Sequence, residues 1–213
     1  MHPGEIDVSF LKNFRRFILK WVKKNKKFII VAGGGSIARD YQKASSKILR
    51  LEDEDKDWIG IHATRLNAHL LRTIFYKEAD PVVLDARFKI KKLKHKITIA
   101  SGWRPGWSTD YVALQLADDF GAREAVIAGS PAHVYTADPK KDKNAKEIKN
   151  LTWREYRKLI PAAWKPGSHA PVDPVGAKLA QGKKLSTVII KGTDLVNFDN
   201  LFRGKEFIGT IIK

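Results

Sequence analysis

The 213-residue sequence contains no cysteine. That absence excludes disulfide bonds, cysteine-ligated zinc, iron–sulfur clusters and a thiol nucleophile, and it is typical of proteins in a reducing compartment. Long apolar runs are also missing, since the stretch at 28–32 is far shorter than the roughly 20 residues that a membrane-spanning helix needs. No basic segment leads into an apolar one at the start, as it does in a secretory signal. We therefore expect a cytoplasmic protein without a membrane span.

Acidic residues are scarce, with 23 Asp and Glu against 40 Lys and Arg, which gives a formal net charge of +17. Much of the excess lies in three lysine-rich runs, at 20–27, 89–96 and 140–149. Such a surplus indicates either a polyanionic partner, such as nucleic acid or a phosphorylated ligand, or a solvated lysine-rich surface. Apart from Trp21, the runs lack interleaved aromatic residues, which argues against a stacking platform for single strands.

Periodicity predicts an α/β fold. Apolar residues at 10, 11, 14, 17, 18 and 21 have helical spacing, and further helices are predicted at 36–51, 58–76, 110–120, 151–160 and 175–180. Short apolar runs predict strands at 28–32, 81–84, 97–100, 125–128, 186–190 and 207–212. The acidic stretch 52–57, the basic stretch 129–150 and the proline-rich stretch 161–174 are interpreted as loops. This alternation predicts a three-layer αβα sandwich with a mainly parallel central sheet.

Two glycine-rich segments each follow a predicted strand and precede a predicted helix: AGGGSIAR at 32–39 and SGWRPGWSTD at 101–110. Glycines let backbone N–H groups approach a phosphate, and the N-terminus of the following helix favours an anion. Arg39 and Arg104 add guanidinium groups that can pair with a phosphate. A tight turn explains either segment alone, but two at one sheet edge favour a phosphorylated ligand. Neither matches the Walker P-loop or the dinucleotide-binding fingerprint.

Five motifs span most of the chain. The first, at 31–41, contains VAGGG, AR and Y, and the second, at 57–68, contains DWIGI and ATRLNA. The third, at 102–110, contains G, PG and STD, and the last two are VYTADPKK at 134–141 and VDP followed by A at 172–177. Their order and spacing resemble the uridylate (UMP) kinases of the amino acid kinase family, most closely the archaeal type. The resemblance implies one domain over 1–213, with an acceptor-binding part at about 1–120 and an ATP-binding part at about 121–213. It implies transfer of the ATP γ-phosphoryl group to UMP, with Mg²⁺ accompanying ATP.

The resemblance also implies a set of acceptor residues. UMP would be bound by Gly34, Asp57, Trp103, Arg104, Pro105, Gly106, Trp107, Ser108 and Thr109. Asp57 would hold the ribose hydroxyls, although from the residues alone a solvated loop aspartate is the simpler interpretation. Trp103 or Trp107 would stack on the base, with packing against their own domain as the alternative.

For the phosphoryl donor, the resemblance implies ATP-binding roles for Gly35, Arg39, Gly129, Tyr135 and Asp138. Asp173 and Arg39 would be catalytic, with Asp173 orienting Mg²⁺-bound water or a lysine. An aspartate before proline is equally typical of a turn. No protein-ligated metal is expected, because the six histidines lack a metal-binding spacing.

The family also implies a homo-oligomer, a hexamer in its known members. The apolar face of the first helix, with Phe10, Phe14, Phe17 and Trp21, is a candidate dimer surface, and ordinary core packing is the alternative.

Three departures from the family pattern keep other functions open. The family's opening strand and Gly-Gly-Ser loop would precede Met1, so either the protein starts upstream or it has lost that loop. Residues 129–133, GSPAH, replace the usual ATP-side loop, and Ser101 replaces a usual glycine. The alternatives are a catalytically impaired protein that binds UMP, a related kinase for another small phosphate or acid, and a basic nucleic-acid-binding protein.

Overall fold

A computed structural model describes residues 6–122, 124–139, 141–163 and 170–213 of the protein. The chain divides into two compact units, an N-terminal unit made mostly of residues up to Ala113 and a C-terminal unit made mostly of residues from Leu114 onward. Within the described ranges, no helix combines the length and the apolar character needed to cross a bilayer.

The N-terminal unit is built around two parallel strands. Its elements are α1 (Val8–Lys23), β1 (Phe28–Val31), α2 (Gly35–Ile48), α3 (Asp53–Ile74), β2 (Ile97–Ala100) and the first residues of α4 (Thr109–Asp119). Phe28 pairs with Ile97, and Val31 pairs with Ala100. Because the strands are parallel, both carboxyl ends lie at the same edge, and each leads into one of the two glycine-rich segments.

The C-terminal unit contains a four-stranded sheet in the order β3-β7-β8-β6 and a separate hairpin of β4 and β5. Its elements are β3 (Glu124–Gly129), β4 (Val134–Tyr135), β5 (Glu147–Ile148), β6 (Asn150–Leu151), α5 (Trp153–Leu159), α6 (Pro174–Lys183), β7 (Ser186–Lys191), α7 (Leu195–Phe202) and β8 (Thr210–Ile212). The pairs β3–β7 and β6–β8 are parallel, and β7–β8 is antiparallel. The α/β class with mostly parallel pairing is thus confirmed.

The first helix packs into the core of the N-terminal unit. Phe17 and Trp21 are buried, and the Phe14 ring meets the fully buried Phe75 ring edge-on, with 6.2 Å between centroids. Burial of aromatic side chains removes large apolar areas from water and stabilises the fold. The structure therefore favours core packing over a dimer surface for this face.

In the N-terminal unit, one loop prediction and one strand prediction are wrong. The acidic stretch 52–57 is not a loop, because α3 begins at Asp53 and carries three carboxylates in its first turn. Negative charge is favourable there, at the positive end of the helix dipole. The predicted strand at 81–84 forms no regular strand, and Leu84 makes an isolated bridge to Ala100.

In the C-terminal unit, the predicted loop 129–150 contains the β4–β5 hairpin and the start of β6. Helix α5 begins at Trp153 rather than at Leu151. Helix α7 was not predicted, although Asp194 caps it by accepting a hydrogen bond from the Asn197 amide. The last strand is shorter than predicted and starts at Thr210.

Candidate functional site

The first glycine segment is a turn whose carbonyl groups are held from α3. The Asn67 side-chain amide donates to the carbonyls of Gly33 at 2.7 Å and Gly34 at 3.3 Å. Gly35 has φ of +64°, a conformation that side-chain-bearing residues rarely adopt. A Cβ on Gly34 would lie only 2.7 Å from the Ala38 Cβ. The turn therefore requires glycine, and it leads directly into the N-terminus of α2, where unpaired amides favour an anion.

Arg39 lies just beyond the first turn of α2 and is exposed. Asp40 and Glu52 are the first two carboxylates that follow it in the sequence. Among the described residues, no carboxylate lies within ion-pair distance of Arg39. The guanidinium group is thus available to an anion at the glycine turn.

The second glycine segment is also held by α3. The Gly106 amide, in a residue with φ of +79°, donates to Asp57 Oδ2 at 2.7 Å. The Gly102 amide donates to the Thr64 hydroxyl at 2.8 Å, and that hydroxyl donates to the Ile61 carbonyl at 2.6 Å. Asp57 is half-buried on the helix rather than in a solvated loop. Its second oxygen, Oδ1, accepts no hydrogen bond from any described residue.

The two segments approach each other. The Thr109 hydroxyl lies 3.9 Å from the position that a Cβ on Gly33 would occupy. Ser108 directly precedes α4, and its hydroxyl accepts a hydrogen bond from the Tyr111 amide at 2.9 Å. Pro105 is half-buried within the segment.

The two tryptophans of the second segment differ in environment. Trp103 is 5% exposed, and its indole N–H donates to the Leu84 carbonyl at 3.1 Å. Trp107 is half-buried, with the Arg104 guanidinium 4.0 Å from its ring centroid and the Tyr111 ring 4.5 Å away. A cation over an indole face is a favourable contact. Of the two tryptophans, Trp107 therefore has the more accessible ring.

In the C-terminal unit, Gly129 ends β3, and its carbonyl accepts a hydrogen bond from the Gly192 amide at 2.8 Å. Tyr135 lies on β4, where burial and then the charge and hydrogen bond of Glu147 raise the pKa of its hydroxyl. The buried His133 places Nε2 3.4 Å from a Glu147 carboxylate oxygen. Asp138 is exposed, and its backbone carbonyl accepts the amides of Lys141 and Asp142, both at 2.9 Å.

Asp173 is 3% exposed and is the N-cap of α6. Its Oδ1 accepts the amides of Val175 at 2.8 Å and Gly176 at 3.0 Å. The residue before it is fixed as well, because the Tyr156 hydroxyl bonds both the amide and the carbonyl of Val172 at 2.7 Å. The structure therefore gives Asp173 a capping function, and its catalytic role stays a prediction.

The family model for the amino acid kinase family matches residues 2–191. The chain belongs to the amino acid kinase family. This family member is 34% identical to the uridylate kinase of Thermococcus kodakarensis, over 99% of this chain and 94% of that protein. It is also 34% identical to the uridylate kinase of Pyrococcus abyssi, over 95% of this chain and 91% of that protein.

Solved structures agree with this membership. The crystal structure of uridylate kinase from Archaeoglobus fulgidus superposes on this amino acid kinase with a TM-score of 0.82 at 29% identity, covering 97% of this chain and 94% of that one. The UMP kinase of Bacillus anthracis, at 21% identity, shares the fold with a TM-score of 0.78, covering 98% of this chain and 88% of that one.

Sequence reasoning did not select two site residues of this amino acid kinase, Thr64 and Asn67. Both lie within the quoted ATRLNA motif, and both are buried, at 5% and 3% exposure. The available signal was polar residues spaced by three on a helix face that otherwise buries Ile61, Ala63 and Ala68. Buried polar groups need partners, and here the partners are the glycine segments.

Proposed function

We propose that this protein is a UMP kinase, which transfers the γ-phosphoryl group of ATP to UMP and releases ADP and UDP. One observation carries the proposal: a single helix, α3, holds both glycine segments at one sheet edge through Asp57, Thr64 and Asn67. The names of the archaeal relatives support UMP as the acceptor.

The acceptor would bind in the N-terminal unit. The amides at the start of α2 and the Arg39 guanidinium supply positive charge for the UMP phosphate and the transferred group. Asp57 holds the Gly106 amide with Oδ2, which leaves Oδ1 to accept a ribose hydroxyl. Trp107 offers its ring to the base.

The donor would use residues of the C-terminal unit. We assign ATP contacts to Gly129, Tyr135 and Asp138, with Gly35 and Arg39 of the N-terminal unit facing the phosphates. A UMP phosphate oxygen forms a bond to the γ-phosphorus as the bond to the β–γ bridging oxygen breaks. Phosphoryl transfer depends mainly on alignment and on neutralising charge, so these residues are positioning and electrostatic groups.

Mg²⁺ would enter as part of the MgATP substrate. Among the described residues, no group of three histidines or carboxylates is arranged to hold a metal ion. Mg²⁺ does not require such a group, because it is usually held by phosphates, waters and one or two carboxylates. Asp173 is the proposed carboxylate.

ADP release tests the proposal, with UMP, CMP, AMP and GMP compared as acceptors in the presence of MgATP. We expect the highest kcat/KM with UMP and no reaction after chelation of Mg²⁺. A folded protein that turns over none of the four would contradict the proposal. A UMP-induced rise in Tm without ADP formation would instead indicate a binding protein, the alternative that the altered segment 129–133 suggests.

We further propose that the protein forms homo-oligomers. Large apolar side chains are exposed on neighbouring helices α2 and α3, with Tyr41 67%, Ile48 83% and Leu66 62% exposed. Isolated apolar residues are common on surfaces, but Tyr41 and Ile48 are seven residues apart on α2 and so share one helix face, which favours an interface. Light scattering after size-exclusion chromatography tests this, and a monomer at micromolar concentration would contradict it.

A further inference from the structure

Two of the three lysine-rich runs meet at one end of the N-terminal unit. Residues 20–27 and 89–96 contain ten lysines and no Asp or Glu. The Phe28 amide donates to the Lys96 carbonyl at 2.8 Å, and the Lys27 ammonium donates to the Leu93 carbonyl at 3.3 Å. The Lys96 ammonium also bonds the Asn25 side chain. Runs that look scattered in the sequence thus form one basic surface, made of residues 20–27 and 87–96.

Most of this charge is not neutralised by the protein. Lys89 pairs with Asp85 at 2.6 Å, and the charge of Lys89 helps to hold the pKa of Asp85 below its usual value against the opposing effect of burial. Within the described parts of the chain, six lysines of the surface have no carboxylate partner: Lys23, Lys24, Lys26, Lys91, Lys92 and Lys94. All six are exposed, so a polyanionic ligand can approach them.

An aromatic side chain accompanies the charge. Phe88 is 74% exposed and has φ of +63°, which is unusual for a bulky residue. The Arg87 guanidinium lies 4.4 Å from its ring centroid. The structure therefore differs from the expectation that the runs lack an aromatic platform, because Phe88 precedes the second run directly and projects into solvent.

The basic surface is separate from the acceptor site. Lys27 and Lys96 precede β1 and β2, whereas the glycine segments follow the same strands. At about 3.3 Å per residue of strand, Lys27 and Gly33 are roughly 20 Å apart. A ligand on the basic surface would therefore not overlap a phosphate bound at the glycine segments.

We infer that this surface binds single-stranded nucleic acid, with the six lysines that lack a carboxylate partner on the phosphate backbone and Phe88 stacked on a base. An exposed ring beside backbone-tracking cations is the combination that single strands require. RNA and DNA share this chemistry, and comparing the affinities for an RNA and a DNA oligonucleotide of the same sequence distinguishes them. The inference does not rest on the proposed kinase activity.

Fluorescence anisotropy with a labelled short oligoadenylate, as RNA and as DNA, tests the inference at two salt concentrations. With six contacts the logarithmic salt slope is about −4, so a roughly fourfold rise in salt weakens binding by roughly 300-fold. The triple variant Lys26→Gln, Lys91→Gln, Lys92→Gln should reduce the slope to about −2. Phe88→Ala should weaken binding by roughly 5- to 150-fold, and Phe88→Tyr should restore it.

The matched control is Lys143→Gln, Lys146→Gln, Lys149→Gln, which removes the same charge from exposed lysines of the third run. It should retain most of the affinity. Equal loss in both triple variants, no binding at low salt, or displacement of the oligonucleotide by excess UMP and MgATP would overturn the inference. Tighter, Lys91-dependent binding to phosphatidylserine-containing vesicles would overturn it in favour of a membrane surface.

Discussion

The Asp173 carboxylate has two possible functions that a single substitution separates. As the N-cap of α6 it needs only an oxygen that accepts the amides of Val175 and Gly176. Asn caps helices about as well as Asp, so Asp173→Asn should change the free energy of unfolding by less than about 1 kcal/mol. As a catalytic group it needs its negative charge, to orient Mg²⁺-bound water or a lysine, and the amide lacks that charge.

The expected catalytic effect is larger than the capping effect. Removing one preorganised polar group at the reacting atoms typically costs about 2.7–4 kcal/mol, which corresponds to a decrease in kcat of about 10²- to 10³-fold. We therefore expect Asp173→Asn to lower kcat by at least about 10²-fold. Circular dichroism and urea unfolding would verify that the variant is folded and of nearly unchanged stability.

The control lies in the same unit. Asp194 caps α7 by accepting the Asn197 amide at 2.9 Å, and nothing predicts a catalytic role for it. Asp194→Asn should leave both kcat and stability nearly unchanged. Steady-state ADP release with saturating MgATP and varied UMP would be measured for both variants. If Asp173→Asn keeps wild-type kcat, Asp173 is a cap and nothing more, and its assignment as catalytic is refuted.

Substitutions at four further positions probe the acceptor side. Arg39→Ala should lower kcat/KM by about 10- to 150-fold, the effect of losing one charge-assisted hydrogen bond, and should leave ligand-free Tm unchanged or slightly higher, because a cation near a helix N-terminus is unfavourable. Asp57→Ala should raise the KM for UMP by about 10- to 150-fold. Asp57→Asn should raise it by less, since the amide oxygen still accepts the hydrogen bond from Gly106. Asp53→Asn is the matched control. Trp103→Ala should destabilise the fold by about 3–5 kcal/mol, whereas Trp107→Ala should mainly weaken UMP binding, by about 1–3 kcal/mol.

Each of these has a clear contrary outcome. Unchanged kinetics in Arg39→Ala would mean that the phosphate does not bind at the first glycine turn. Equal KM values for Asp57→Ala and Asp53→Asn would mean that the effect is the loss of a negative charge from α3 rather than the loss of the bond to Gly106. A stable Trp103→Ala protein with lost UMP affinity would reverse the assignment of the two tryptophans.

Strands β1, β2, β3 and β7 could be predicted because each contains a short run of apolar residues. Residues 81–84 have the same apolar composition, yet only Leu84 is bridged to β2. Local composition does not say whether a neighbouring strand is in register to pair. The hairpin of β4 and β5 was missed for the converse reason, since two-residue strands carry no periodicity.

The start of α3 shows a different limit. Its first turn is Asp53, Glu54 and Asp55, which look like a solvated loop when read as charge. At a helix N-terminus the same charges stabilise the structure, so the pattern has two meanings that only the position of the helix resolves. Placing Asp57 on this helix explains how it reaches Gly106.

The basic surface illustrates a third limit. Residues 20–27 and 89–96 are far apart in the sequence, and parallel pairing of the strands that follow them brings them together. Charge composition therefore predicted the excess of positive charge but not that two of the lysine-rich runs lie side by side. Pairing of β1 with β2 is a long-range property, and the sequence contains no local signal for it.

The candidate acceptor site depends on α3, although the predicted phosphate contacts come from the glycine segments and not from this helix. Glycine segments have no side chains with which to fix themselves, so their positions must be set by hydrogen bonds from elsewhere. Burying a polar group without a partner is costly. The two segments supply acceptors for the Asn67 amide and a donor for the Thr64 hydroxyl oxygen. The turns and the helix thus specify each other: α3 positions the segments, and the segments satisfy α3. Groups positioned by a regular helix are held more precisely than groups on unsupported loops, and phosphoryl transfer depends on precise alignment of the reacting groups.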